Sequence, residues 1–265
     1  MVWSFSSVNS YETCPKGFYC NYILKYPKSN NAFAEWGTFG HSLFERYYKD
    51  EIDLFDIGML YESEYEKSVT LPFPSLGRVD LGERYKAAGQ EFFDHFEGLP
   101  DSYEIIGVEQ KVNLKIGKYA FVGYIDLILR DKNDGKYIVY DHKSKSGFKN
   151  DKEKDEYLRQ LYLYSLFLKD RFDVYPKELT FNMFRAGQVV TETFDEAKLG
   201  DAINWFTGTI DKIYEDTKFY DHVYLDFKAA GKKLSDFKKQ DFFCNNLCNV
   251  RTSCSRSSRY KRNKG

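Results

Sequence analysis

Hydrophobic positions recur at helical spacing over residues 35–49, where Phe39, Leu43, Phe44 and Tyr47 share one side. The spacing returns over residues 83–98, with Phe92, Phe93 and Phe96, and stops near Pro100. The period then changes to two. Val108, Val112, Leu114 and Ile116 alternate with Glu109, Lys111, Asn113 and Lys115, which predicts a half-buried strand. Gly117-Lys118 reads as a two-residue turn, 119–130 as a second strand, Asn133-Asp134-Gly135 as a second turn, and 136–143 as a third strand. Residues 153–172 are apolar almost all round, so this helix should be largely buried. Residues 180–185 and 189–194 flank Ala186-Gly187 as a hairpin, and 196–216 predicts a long last helix. Two stretches carry no such signal. Residues 1–30 are polar and aromatic, with a turn at Cys14-Pro15, and the acid-rich residues 50–66 read as a solvated insertion. Helix, three-strand meander, buried helix, strand pair and helix make a mixed α/β sandwich. No internal repeat or low-complexity linker interrupts it.

The 265 residues fit one large domain or two small ones. Apolar residues at 42% and charged residues at 30% exclude a disordered chain. Aromatic residues reach 18%, which fills a core or stacks on bases. The net charge of −1 excludes a polycation, so a nucleic-acid site must be a local patch. The longest clean apolar run, 161–168, has eight residues, far short of the roughly 20 a membrane helix needs. Residues 1–14 have no basic start and no apolar stretch, so no leader is expected, and a cytoplasmic, reducing location follows. There the five cysteines are thiols or ligands rather than disulfides.

The candidate chemistry sits on the meander. Asp126 lies mid-strand in Gly123-Tyr124-Ile125-Asp126-Leu127-Ile128, where an aspartate is costly unless paired or bound to a cation. Asp141 and Lys143, two residues apart on the next strand, point to one face. The intervening turn can bring Asp126 near Asp141, and a divalent cation with oxygen ligands would remove their repulsion. An Asp126–Lys143 ion pair accounts for the same residues. His41, in Gly37-Thr38-Phe39-Gly40-His41, shares a helix face with Glu45. Gln160 and Tyr164 put two polar tips one turn apart on the buried helix.

Taken in order, Gly-x3-His, Gly-x-Ile-Asp, Asp-x-Lys and Gln-x3-Tyr resemble the PD-(D/E)xK nuclease superfamily. Within it they are most similar to the RecB-like branch, with its AddB-type recombination nucleases and small exonucleases of CRISPR adaptation. The resemblance runs from Ser4 to Cys254. It implies a restriction-endonuclease-like αβββαβ core with a helical N-terminal part. It implies a metal-dependent DNA exonuclease acting at DNA ends in recombination, repair, or CRISPR or phage DNA processing. By it, His41, Asp126, Asp141 and the main-chain carbonyl of His142 would hold Mg²⁺ or Mn²⁺. Asp126, Asp141 and Lys143 would be catalytic, with Lys143 orienting the attacking water. Gln160 and Tyr164 would line the path of the DNA, single-stranded or with free ends. Glu45 and Glu109 are auxiliary carboxylates. A catalytically silent DNA-binding or recombination-assembly module on the same fold is the competing reading, and the complete Asp126, Asp141 and Lys143 set argues against it.

Cys244, Cys248 and Cys254 crowd near the C-terminus, while Cys14 stands alone near the N-terminus. A terminal triplet with one distant cysteine looks like the iron–sulfur staple of the AddB-like branch, a [4Fe–4S] cluster on four thiolates. Tetrahedral Zn²⁺ is the alternative. The spacing Cys-x3-Cys departs from the Cys-x2-Cys usual there. Cys20 is left over as a core thiol. The expected organisation is one nuclease domain over 1–265, with 1–30 and 240–256 joined through a cysteine-bound metal and 256–265 as a basic tail. That tail either is a solvated end or contacts phosphates.

Overall fold

In the computed structural model, residues 1–220, 242–254 and 259 are described. The remaining basic-tail positions lie outside them. Five strands form one sheet in the order β1-β2-β3-β4-β5. These are β1 (Tyr103–Ile116), β2 (Tyr119–Asp131), β3 (Tyr137–Lys143), β4 (Glu178–Met183) and β5 (Gln188–Thr193). The first three are an antiparallel meander with the two expected turns. Strand β4 runs parallel to β3, so the chain must cross over, and the long helix α6 (Asp151–Phe172) does so. Asn150 caps α6 by accepting the Glu153 N–H, and Asp173 closes it in the left-handed conformation.

Both sheet faces are covered. On one face α6 and α7 (Glu196–Tyr220) pack on Val112, Phe121, Ile128, Val139 and Phe181. On the other, α3 (Ala32–Tyr48), α4 (Ile57–Ser68) and α5 (Leu81–Asp94) pack on Leu127, Leu129 and Ile138. The expected mixed α/β order is therefore present.

Two expectations fail. The acid-rich stretch 50–66 is not a loose insertion. Most of it is α4, which buries Ile57, Tyr61 and Tyr65 and turns its glutamates outward. Its charge density hid a stripe of only one apolar or aromatic residue per turn. Residues 1–30 are helical rather than irregular. Ser4 and Ser7 form a reciprocal capping box at the start of α1 (Phe5–Thr13), and Pro15 opens the short α2 (Pro15–Phe18). A π-helical turn follows at Tyr19–Ile23. Phe5, Val8, Tyr11 and Phe18 then join the α6–α7 core, and Trp3 bridges to Phe121 of β2.

The last described segment, 242–254, lies against the segment that leads into α3. Ser29 donates its N–H to the Asn249 carbonyl at 2.7 Å, and Arg251 donates to the Ser29 carbonyl at 3.0 Å. Asn31, which caps α3, also donates to the Leu247 carbonyl at 3.2 Å.

Candidate active site

Strands β2 and β3 pair through Leu127–Tyr140, and that register sets Asp126 across from Asp141. Here the ladder ends, and the Asp126 side chain takes the place of a strand partner. Its Oδ2 accepts the His142 N–H at 2.7 Å. Burial and the nearby Asp141 hold the Asp126 carboxyl well above the usual carboxylate range, though Lys143 and the His142 N–H oppose this. Two acids so placed suit a cation that neutralises both.

Lys143 lies beyond them on the face that meets α6. Its Nζ sits 2.6 Å from Asp141 Oδ2 and donates to Gln160 Oε1 at 2.9 Å. The alternative Asp126–Lys143 pairing is not what forms, because Lys143 pairs with Asp141 on its own strand. Gln160 in turn donates from Nε2 to the Tyr164 hydroxyl at 3.0 Å. Tyr164 is only 5% exposed, so it anchors Gln160 from within the core rather than offering an open surface. Gly123 explains the fit: a Cβ there would stand 2.5 Å from the Tyr164 ring.

Helix α3 supplies the third side. His41 Nδ1 lies 3.5 Å from Asp126 Oδ2, and the ring hydrogen-bonds to the His142 main chain. Burial lowers the His41 pKa and Asp141 works the other way, so the imidazole is kept in the neutral form a metal needs. Gly40, one residue earlier, lets α3 approach the sheet, since a Cβ would stand 2.7 Å from Phe184. The His142 ring points away into the α3 layer. It stacks on Phe44 with centroids 3.9 Å apart, and its Nδ1 accepts from Asn182 at 3.0 Å. Burial pushes its pKa far down, and His41 and Lys143 add to this. Only the main chain of His142 is therefore directed to the site. Glu45 is turned to Lys49, 2.5 Å away.

Three potential metal ligands, from His41, Glu109 and Asp126, have donor atoms all within 4.8 Å of one another. Oxygen and imidazole donors in this mixture suit Mg²⁺ or Mn²⁺. Sequence reasoning brought His41, Asp126, Asp141, Lys143, Gln160 and Tyr164 together correctly in space, and left Glu109 at the margin. Nothing in the alternating pattern of β1 distinguishes Glu109 from Lys111 or Lys115.

The cysteines also converge. Cys20 and Cys254 pack in one small cluster with Val250, Tyr26 and Cys248. None of the five is in a disulfide. Cys14 caps α2, its Sγ accepting the Gly17 N–H at 3.3 Å. A hydrogen bond to Cys254 and then burial push the Cys20 thiol far up. Burial also raises Cys248, with Cys254, Cys14 and Cys244 adding to it. Thiols that press on one another in this way fit a soft metal centre, which would take them as thiolates. Cys20 is buried as expected, and it lies inside this group rather than apart from it.

An αβββαβ core with acidic groups on adjacent strands, a lysine two residues beyond the last and a glutamine holding that lysine defines a metal-dependent phosphodiesterase framework. The chain belongs to the PD-(D/E)XK nuclease superfamily, which it matches over residues 2–255. No curated protein matches the chain. Superfamily membership implies a metal-dependent nuclease, a nucleic-acid substrate and divalent metals such as Mg²⁺ or Mn²⁺. Among the described residues no helix is long and apolar enough to cross a membrane.

Proposed function

We propose that the chain is a divalent-metal-dependent DNA exonuclease of the RecB-like branch, a single catalytic domain hydrolysing phosphodiester bonds at DNA ends in recombination, repair, or CRISPR or phage DNA processing. The observation that carries this reading is the convergence of Asp126, Asp141, Lys143 and His41 at the point where β2 and β3 part. The preference for DNA with free or single-stranded ends rests on the ordered motifs and their resemblance to that branch.

Asp126, Asp141, His41 and the His142 carbonyl hold the cation. When bound, it lowers the pKa of its water and draws charge from the phosphoryl oxygens. Lys143 gives a fixed positive charge where negative charge develops and directs the attacking water. Gln160 keeps the Lys143 ammonium from collapsing fully onto Asp141, and Tyr164 fixes Gln160. Positioning Lys143 is how these two residues serve the DNA path. Cys14, Cys244, Cys248 and Cys254 hold a [4Fe–4S] cluster, or Zn²⁺ in its place, and the centre is structural.

The test is cleavage of end-labelled single- and double-stranded DNA with Mg²⁺, Mn²⁺ or EDTA. Asp126→Ala, Asp141→Ala and Lys143→Ala should each abolish product while leaving the circular dichroism spectrum unchanged. Cleavage by Lys143→Ala at near wild-type rate would overturn the catalytic assignment. DNA binding without cleavage by the wild-type chain in every metal would leave the silent DNA-binding module.

A further inference from the structure

Glu109 belongs to none of the ordered motifs, yet its placement is unusual. The β1–β2 register runs through Val108–Leu127 and Gln110–Ile125, which sets Glu109 across from Asp126. Carboxylates directly opposite on antiparallel strands repel. The row continues to Asp141 on β3, so adjacent strands contribute three acids in line. Glu109 also has φ +46°, the left-handed region. Glycine or asparagine would hold that conformation more cheaply than glutamate. The distortion follows a register shift between Ile105 and Gly107, and such irregularities re-aim side chains.

The aim here is inward. The Glu109 carboxylate reaches within 4.8 Å of donor atoms on both His41 and Asp126. Among the described residues it makes no ion pair. The charged groups around it are Glu45 and Lys49 on α3 and Asp141 on β3, and Lys49 is already engaged by Glu45. Two unfavourable features, the repulsion and the backbone conformation, thus converge on a carboxylate that a cation would satisfy.

We propose that Glu109 is a further ligand of the divalent cation, binding it from the β1 side while Asp141 binds from the β3 side. This deepens the nuclease reading and rests on it. A carboxylate of this kind holds the ion before DNA arrives, whereas a site built on Asp126 and Asp141 alone would depend more on the phosphate to retain it.

Mn²⁺ binding to DNA-free protein, followed by calorimetry and by the electron paramagnetic resonance of unbound Mn²⁺, tests this without reference to turnover. Glu109→Gln keeps the shape and removes the charge, and Glu109→Asn suits the left-handed backbone. Both should weaken Mn²⁺ about tenfold or more, the scale of losing a partner of a metal site. Glu109→Asp should recover part of the affinity. Melting temperatures in EDTA should be equal to or above wild type, because repulsion with Asp126 is relieved. Mn²⁺ affinity within about twofold of wild type in Glu109→Gln, alongside its loss in Asp126→Asn, would overturn the proposal and leave the nuclease reading intact. A wild-type chain that neither binds Mn²⁺ nor cleaves DNA would overturn both.

Discussion

At the scale of single residues, Lys177 ties the β2–β3 turn together by reaching Asp131 at 2.7 Å and Asp134 at 3.1 Å. The Lys177 bond and the Asn133 N–H hold the Asp131 carboxyl below the usual carboxylate range. The Lys136 N–H, more than Lys177, does the same for Asp134. A carboxylate lowered on folding stabilises the folded state above its ordinary pKa. That contribution fades as pH falls from the ordinary value through the lowered one. Melting temperature followed through this acid range should therefore fall less steeply in Lys177→Met than in wild type. Parallel acid limbs would show the lysine to be a bystander. Residues of this turn were legible in the sequence because Asn-Asp-Gly has a definite backbone consequence. His41, Asp126, Asp141 and Lys143 were legible because their types and order are specific. Glu109 was not, since its left-handed φ is written in no residue type. The clustering of Cys20 with Cys254 was equally hidden, because it depends on two segments far apart in sequence meeting.

At the scale of elements, the site depends on how closely α6 approaches β2. Gly123 permits that approach, and Tyr164 fills the space it leaves. Gly123→Ala should push the Tyr164 ring, and with it Gln160 and Lys143, off their positions. An overpacked contact of this kind costs about 1–3 kcal/mol. The turnover rate should fall further than that loss of stability explains, with Mn²⁺ affinity unchanged, since no proposed metal ligand moves. Comparison of kcat, melting temperature and Mn²⁺ titration checks this, and wild-type kcat would show that α6 adapts. The meander and α6 were predictable because period two and an all-round apolar helix are strong patterns. Helix α4 was missed because its few buried residues, Ile57, Tyr61 and Tyr65, are diluted by surface acids. Helix α1 was missed because its stability comes from the Ser4–Ser7 cap and from tertiary burial of Phe5 and Tyr11, not from helix propensity.

At the scale of the whole molecule, Cys14 and Cys244 bracket most of the sequence, so a shared metal would close a very long loop. Closing it removes freedom from the unfolded chain, and metal affinity becomes folding free energy. Cys14→Ser, Cys244→Ser, Cys248→Ser and Cys254→Ser should fail alike, with loss of bound metal, lower solubility and reduced cleavage, whereas Cys20→Ser should keep its metal. Anaerobically purified protein should be brown with about four irons per chain for a [4Fe–4S] centre. Colourless protein with about one zinc would assign the site to zinc. A metal-free chain that folds and cuts DNA would remove the centre altogether.

The pairing of Ser29 and Asn31 with Asn249 and Leu247 has a consequence for synthesis. Chains fold from the N-terminus as they emerge from the ribosome. The sheet, α3 and α6 are all translated before residue 243, so the catalytic pocket can take shape on a nascent chain. The early segment 19–31 must wait for the last stretch to be made, with Cys14 and Cys20 exposed to the cytosol meanwhile. Loading of the cysteine centre is therefore an event after translation, and it serves as the final check that a full-length chain has been delivered.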